Sequence, residues 1–184
     1  METDRASMRS LSLMRSLWLT LLLIPLLLVA SGCKRRHSTA GEAQQMVSTI
    51  NAADPSAAGQ FARGFYGVEG NAWRWTSKEF AVDLLTPLHS NQDGAQLTVK
   101  LAVPDAVMQK TNSVQLTASL DGYKLEPQTY TKAGSYTFTR DLPAAKLQNG
   151  VVRIDFALDH SLPPTGSDVR ELGIVVSEVG LTAK

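Results

Sequence analysis

From Phe61 onward the hydrophobic positions of this chain recur with a period of two. Phe80, Val82 and Leu84 alternate with their neighbours, as do Leu97, Val99, Leu101 and Val103. Val114, Leu116, Ala118 and Leu120 repeat the pattern, Tyr136 and Phe138 continue it, and Val152, Ile154, Phe156 and Leu158 complete it. Each run sends one face to a core and the other to water. Turn signals separate the runs: Gln92-Asp93-Gly94, Asp121-Gly122, Ala133-Gly134, Gln148-Asn149-Gly150 and Pro163-Pro164-Thr165-Gly166. Asp121-Gly122, between Leu120 and Tyr123, suits a tight hairpin. The spacing predicts an all-β domain over residues 61–184, an antiparallel sandwich. In the last run Leu172, Ile174 and Val176 share one parity, while Val179 and Leu181 share the other. One extra residue near Ser177 or Glu178, a β-bulge, would return both sets to the core.

The pattern before residue 61 differs. Arg5, Arg9 and Arg15 precede an uncharged run of 13 residues, Leu17 to Val29, and then Ala30-Ser31-Gly32-Cys33. This order is that of an export signal, and the run falls short of the roughly 20 residues of a spanning helix. The chain's only cysteine follows the small residues directly, as in the bacterial lipobox, although Ala30 stands where leucine is usual. Residues 1–32 are therefore expected to be a lipoprotein signal peptide and Cys33 the acylated residue. Residues 33–60 are small and polar, with Asp54-Pro55 as a breaker, and Met46, Val47, Ile50 and Ala53 could share a helical face. They read as a flexible or partly helical tether with an r.m.s. span of roughly 30 Å.

Composition narrows the function classes. Of 18 basic and 17 acidic residues, Arg5, Arg9, Arg15, Glu2 and Asp4 precede Cys33, which leaves 15 of each. No basic stripe points to nucleic acid. Lys34-Arg35-Arg36 would be drawn to anionic headgroups beside a lipid anchor. No nucleophile elbow, zinc-protease helix motif, phosphate loop or dinucleotide fingerprint occurs. His37, His89 and His160 are scattered, and no spaced acidic loop suggests a metal. No cofactor is expected.

Gly64-Phe65-Tyr66-Gly67-Val68-Glu69-Gly70, Trp73-Arg74-Trp75-Thr76, Asp155-Phe156-Ala157-Leu158-Asp159, Leu162-Pro163-Pro164 and Arg170-Glu171-Leu172-Gly173 occur in that order. Over Gly64 to Lys184 the chain resembles a family of bacterial envelope lipoproteins, similar modules of which accompany enzymes of cell-surface polysaccharide assembly. The resemblance implies a jelly-roll-like sandwich, similar in shape to carbohydrate-binding modules. It implies no activity and no catalytic residues, and His160 stands where lysine would be expected. In the Gram-negative envelope that it implies, Lys34 after Cys33 favours the outer membrane.

Two groups could form a ligand site. Trp73 and Trp75, two apart on a strand, face one way with Arg74 opposite. They could form a platform for sugar rings, but a tryptophan pair on one face more often fills a core, the preferred expectation here and also for Phe65 and Tyr66. Asp168, Arg170 and Glu171 form the densest charged knot. It could be a polar clasp for a ligand, but a loop-fixing carboxylate–guanidinium pair is preferred. Asp155 and Asp159 are about 13 Å apart on an extended strand, beyond the roughly 5–9.5 Å of glycosidase pairs. The chain thus reads as a membrane-anchored, non-catalytic lipoprotein whose sandwich binds or supports an envelope protein or polysaccharide. A carbohydrate-binding module for polysaccharide assembly is the more specific alternative, and an enzyme the residual one.

Overall fold

The computed structural model describes residues 45–184. The signal peptide and Cys33 lie outside the described residues. Ten antiparallel strands make one curled sheet: β1 (Thr49–Asn51), β2 (Arg63–Glu69), β3 (Trp73–Leu85), β4 (Ala95–Val103), β5 (Val114–Leu120), β6 (Tyr123–Lys124), β7 (Gln128–Tyr130), β8 (Gly134–Leu142), β9 (Val151–Leu158) and β10 (Val175–Ala183). The path runs β6-β5-β9-β3-β10-β4-β8, with β1 beside β10, β2 beside β3 and β7 beside β5.

β3 turns this sheet into a sandwich. Its 13 residues exceed a typical strand of about 5–6, and its two halves have different neighbours. Arg74 and Trp75 pair with Val176 and Val175 of β10, whereas Glu79 through Leu85 pair with Ala157 through Val151 of β9. Each half thereby belongs to one wall. Between the walls lie the alternating residues: Phe80, Val82 and Leu84, with Phe156 beside Phe80 on the same wall, share one core with Leu97, Val99, Phe138 and Val176. The observed fold is the expected all-β antiparallel sandwich.

Local chemistry sets the connections. Asp121 and Gly122 both have positive φ, 50° and 75°, and Leu120 pairs with Tyr123 across them, as the tight hairpin requires. In β10 the register shifts between Val176 and Glu178, and Ile174, Val176, Val179 and Leu181 are all buried. Here the bulge lies where the parity change puts it. The sequence pattern did not reveal two short helices, α1 (Ser90–Asp93) and α2 (Asp105–Thr111). In α2 only Val107 is buried, so it carries too little apolar periodicity to register.

Residues 45–60 correct the expected extent of the tether. Ile50 and Ala52 are buried, and β1 pairs with β10. Asp54 caps a 3-10 turn over Pro55–Gln60, its carboxylate accepting from the Ser56 amide at 2.8 Å. Gln60 is fully buried; its side chain bonds both backbone groups of Val47 at 2.9 Å and the Asp83 carbonyl at 2.8 Å. A glutamine amide thus substitutes for a strand partner and fixes this segment to β3. Polar composition hid this packing, because the apolar anchors are few and small.

Candidate functional site

The β2–β3 hairpin builds the site. Gly70 and Asn71 take φ of 56° and 51°, which turns the chain back so that Glu69 stands opposite Trp73 and Val68 opposite Arg74. A methyl group at Gly70 would lie 2.5 Å from the Trp73 six-membered ring. The missing side chain therefore lets the indole rest on the backbone. Trp73 remains 37% exposed and borders a shallow cleft of about 420 Å³. Lys100, Ser135, Thr137, Val175 and Ser177 continue that surface across β4, β8 and β10.

The two tryptophans separate in role. Trp75 is half-buried and packs against the core, while Trp73 faces the cleft. The expectation that this pair fills the core is thus corrected for Trp73. Arg74 takes the inward side that an apolar residue would usually hold. Its guanidinium lies 4.7 Å from the centre of the Phe61 ring and donates to the Ala52 carbonyl at 3.0 Å and the Tyr66 carbonyl at 2.9 Å. Burial lowers its pKa from the usual arginine value. Phe65 packs edge-on against Phe61 and Phe80, in keeping with the core expectation.

The charged knot has different members from those expected. Arg170 donates to both Asp168 oxygens, at 2.9 Å from Nε and 2.8 Å from a terminal nitrogen. Its other terminal nitrogen donates to Glu69 at 2.7 Å, and its guanidinium lies 5.3 Å from the Tyr66 ring centre. The Arg170 side chain and backbone amide hold the Asp168 carboxyl down at about 2, and the same carboxylate, with Glu69, raises the arginine. About a third of each side chain is in water, 31% for Arg170 and 33% for Asp168. Neither is the fully buried charge that would make the pair costly to break.

Glu171 leaves the knot. It accepts from the Lys78 amide at 3.2 Å and the Ser161 hydroxyl at 2.7 Å, tying the β9–β10 connection to the middle of β3. Glu69 takes its place. Nothing in the linear spacing reveals a partner 101 residues from Arg170; its only signal is the run that ends Val68-Glu69-Gly70. Because Glu69 opposes Trp73, the knot and the indole border each other.

The carboxylates considered for hydrolysis hold strands together. Asp155 pairs with Arg63 at 3.0 Å. Asp159 accepts from the Gln115 amide at 2.7 Å and lies 3.1 Å from His160 Nδ1. Arg153 forks onto Asp83 with two bonds of 2.8 Å. A second groove of about 560 Å³ lies over β5 and β9, with Arg63, Glu79, Lys124 and Glu126 at its walls and small residues such as Ala157 along its floor. No group of three metal-ligating side chains occurs among the described residues, and none of their helices is long and apolar enough to cross a membrane.

No family model matches the chain, and no curated protein matches it in sequence. Several solved structures align with it loosely. One is a GH115 4-O-methyl-α-glucuronidase, BtGH115A, with 13% identity and a TM-score of 0.46, covering 76% of this chain. The chain spans 18% of that enzyme's length. Another is CsCBM6-3 from Clostridium stercorarium, solved with cellobiose, at 11% identity and TM-score 0.40, covering 75% of this chain and 95% of that one. A CBM4 structure aligns at 15% identity and TM-score 0.36, over 74% and 85% of the two chains. At TM-scores below 0.5 these likenesses assign this chain nothing.

Proposed function

We propose that this domain is a non-catalytic glycan-binding module, displayed from the cell envelope by a lipid on Cys33. One observation carries the reading: Trp73 is seated on Gly70 and leaves part of its indole open to a polar-edged cleft. A sugar ring presents an apolar C–H face and a rim of hydroxyls. An indole can cover the face while neighbouring hydroxyls bond the rim, and an aromatic anchor in a cleft is the usual source of affinity in a small site. That aromatic would otherwise be expected in the core. Asp155 and Asp159 are engaged by strand partners, which supports binding rather than hydrolysis.

Affinity electrophoresis through gels containing envelope polysaccharides tests the site. Wild-type protein is expected to be retarded, and Trp73→Ala to run freely while keeping its β-sheet circular dichroism. Retardation that survives Trp73→Ala would move the site elsewhere, and the second groove is the next place to test. Co-purification of one envelope protein, with no retardation by any glycan, would favour a protein-supporting role instead. For the anchor, Cys33→Ser is expected to release the protein from membranes and to abolish palmitate labelling.

A further inference from the structure

The cations around the Trp73 cleft are already engaged. Lys100, the cation that lines it, has its Nζ 3.1 Å from Glu178 Oε2, and the two residues face each other across the β4–β10 ladder. On the hairpin side Arg170 is shared between Asp168, at 2.8 Å, and Glu69, at 2.7 Å, with Glu69 directly opposite Trp73. Arg74 is turned inward onto Phe61 and two carbonyls. With Arg74, three cations stand against three carboxylates, and neither Lys100 nor Arg170 is free of a carboxylate. Among the described residues the Ser135 and Thr137 hydroxyls at the cleft have no partner, and Ala102 and Val175 are apolar.

We infer that the cleft selects uncharged saccharides and discriminates against those carrying carboxylates or sulfates. This selectivity rests on the reading of the Trp73 face as a glycan site. An anionic sugar would find no free cation among the residues that line the cleft, since Lys100 is held by Glu178. To recruit Lys100 or Arg170 it would first have to displace a carboxylate already in hydrogen-bond contact. A neutral ring meets no such obstacle. Its hydroxyls can bond Ser135 and Thr137 while its C–H face covers the indole.

The test uses the full chain in a zwitterionic detergent, titrated by calorimetry. The probes are neutral gluco-, manno-, xylo- and galacto-oligosaccharides, with oligogalacturonate and oligoglucuronate of matched length. At least one neutral probe is expected to bind with an affinity indifferent to salt, and the acidic probes to bind at least ~tenfold more weakly. Glu178→Gln keeps the shape of a partly exposed side chain and releases Lys100. It is expected to raise acidic-probe affinity about two- to five-fold at low salt and to leave neutral binding unmoved. An acidic probe that binds the wild type as tightly as any neutral one, with affinity falling as salt rises, overturns the selectivity but leaves the site standing. Failure of both classes to bind removes the glycan reading itself, and the selectivity with it.

Discussion

The two halves of β3 obey opposite rules on one continuous strand. From Phe80 to Leu84 every second residue is apolar and fully buried. From Trp73 to Thr76 an indole faces water, while a guanidinium and a threonine hydroxyl take the inward places. The polar residues of the first half are bonded: Thr76 exchanges backbone and side-chain bonds with Ile174, and Arg74 donates to two carbonyls and lies over the Phe61 ring. The second half is explained by burial alone. The first spends polar groups inside to hold an aromatic outside, the kind of local inconsistency that marks a functional surface.

The sharpest way to break this contrast is at Phe80, stacked 4.9 Å from Phe156 and fully buried. Phe80→Ala is expected to cost about 3–5 kcal/mol in urea unfolding; a loss below about 1 kcal/mol would mean that this half is not the core. Next is Gly70→Ala. The positive φ and the collision with the indole are expected to cost about 1–2 kcal/mol. The displaced Trp73 should also change tryptophan emission and weaken glycan retention, so binding unaffected by this change would detach Gly70 from the platform.

A smaller effect probes the knot. Asp168 titrates near 2 in the fold against about 3.9 when unfolded, so its folded pKa is depressed. Its stabilisation is fully present above about pH 4 and fades as the pH falls through about 2. Acid unfolding of Asp168→Asn is expected to lack that increment, and Arg170→Ala to melt a few degrees lower at neutral pH. Equal acid profiles for wild type and Asp168→Asn would show that the pair stabilises nothing. The smallest effect concerns Tyr130, whose buried hydroxyl has no hydrogen-bond partner among the described residues. Burial pushes it up to about 12. Tyr130→Phe is expected to be neutral, or stabilising by up to about 1 kcal/mol in thermal unfolding; a clear loss would reveal a partner for that hydroxyl.

What the sequence made legible follows the same division. Runs with a period of two announced β4, β5, β9 and the second half of β3, because burial on one face leaves that signature whatever the topology. Even the β10 bulge was readable as a change of parity. The docking of residues 45–60 was not, since it depends on one glutamine and a few small apolar residues. Trp73 and Arg170 could be singled out, but neither the outward turn of the indole nor Glu69 could. Both depend on the β2–β3 register and on a loop that returns after about a hundred residues.

The position of β10 also constrains the order in which the molecule can form. It is made last among the strands, yet it lies between β4 on one edge and β1 with β3 on the other. Until it arrives, the walls cannot close: the edges of β3 and β4 lack their common partner, and Val176, Val179 and Leu181 are absent from the core. Thr49 pairs with Gly180, a closure spanning nearly the whole described chain, and such non-local pairing slows folding. A chain emerging from a ribosome would leave these walls open until β10 was delivered.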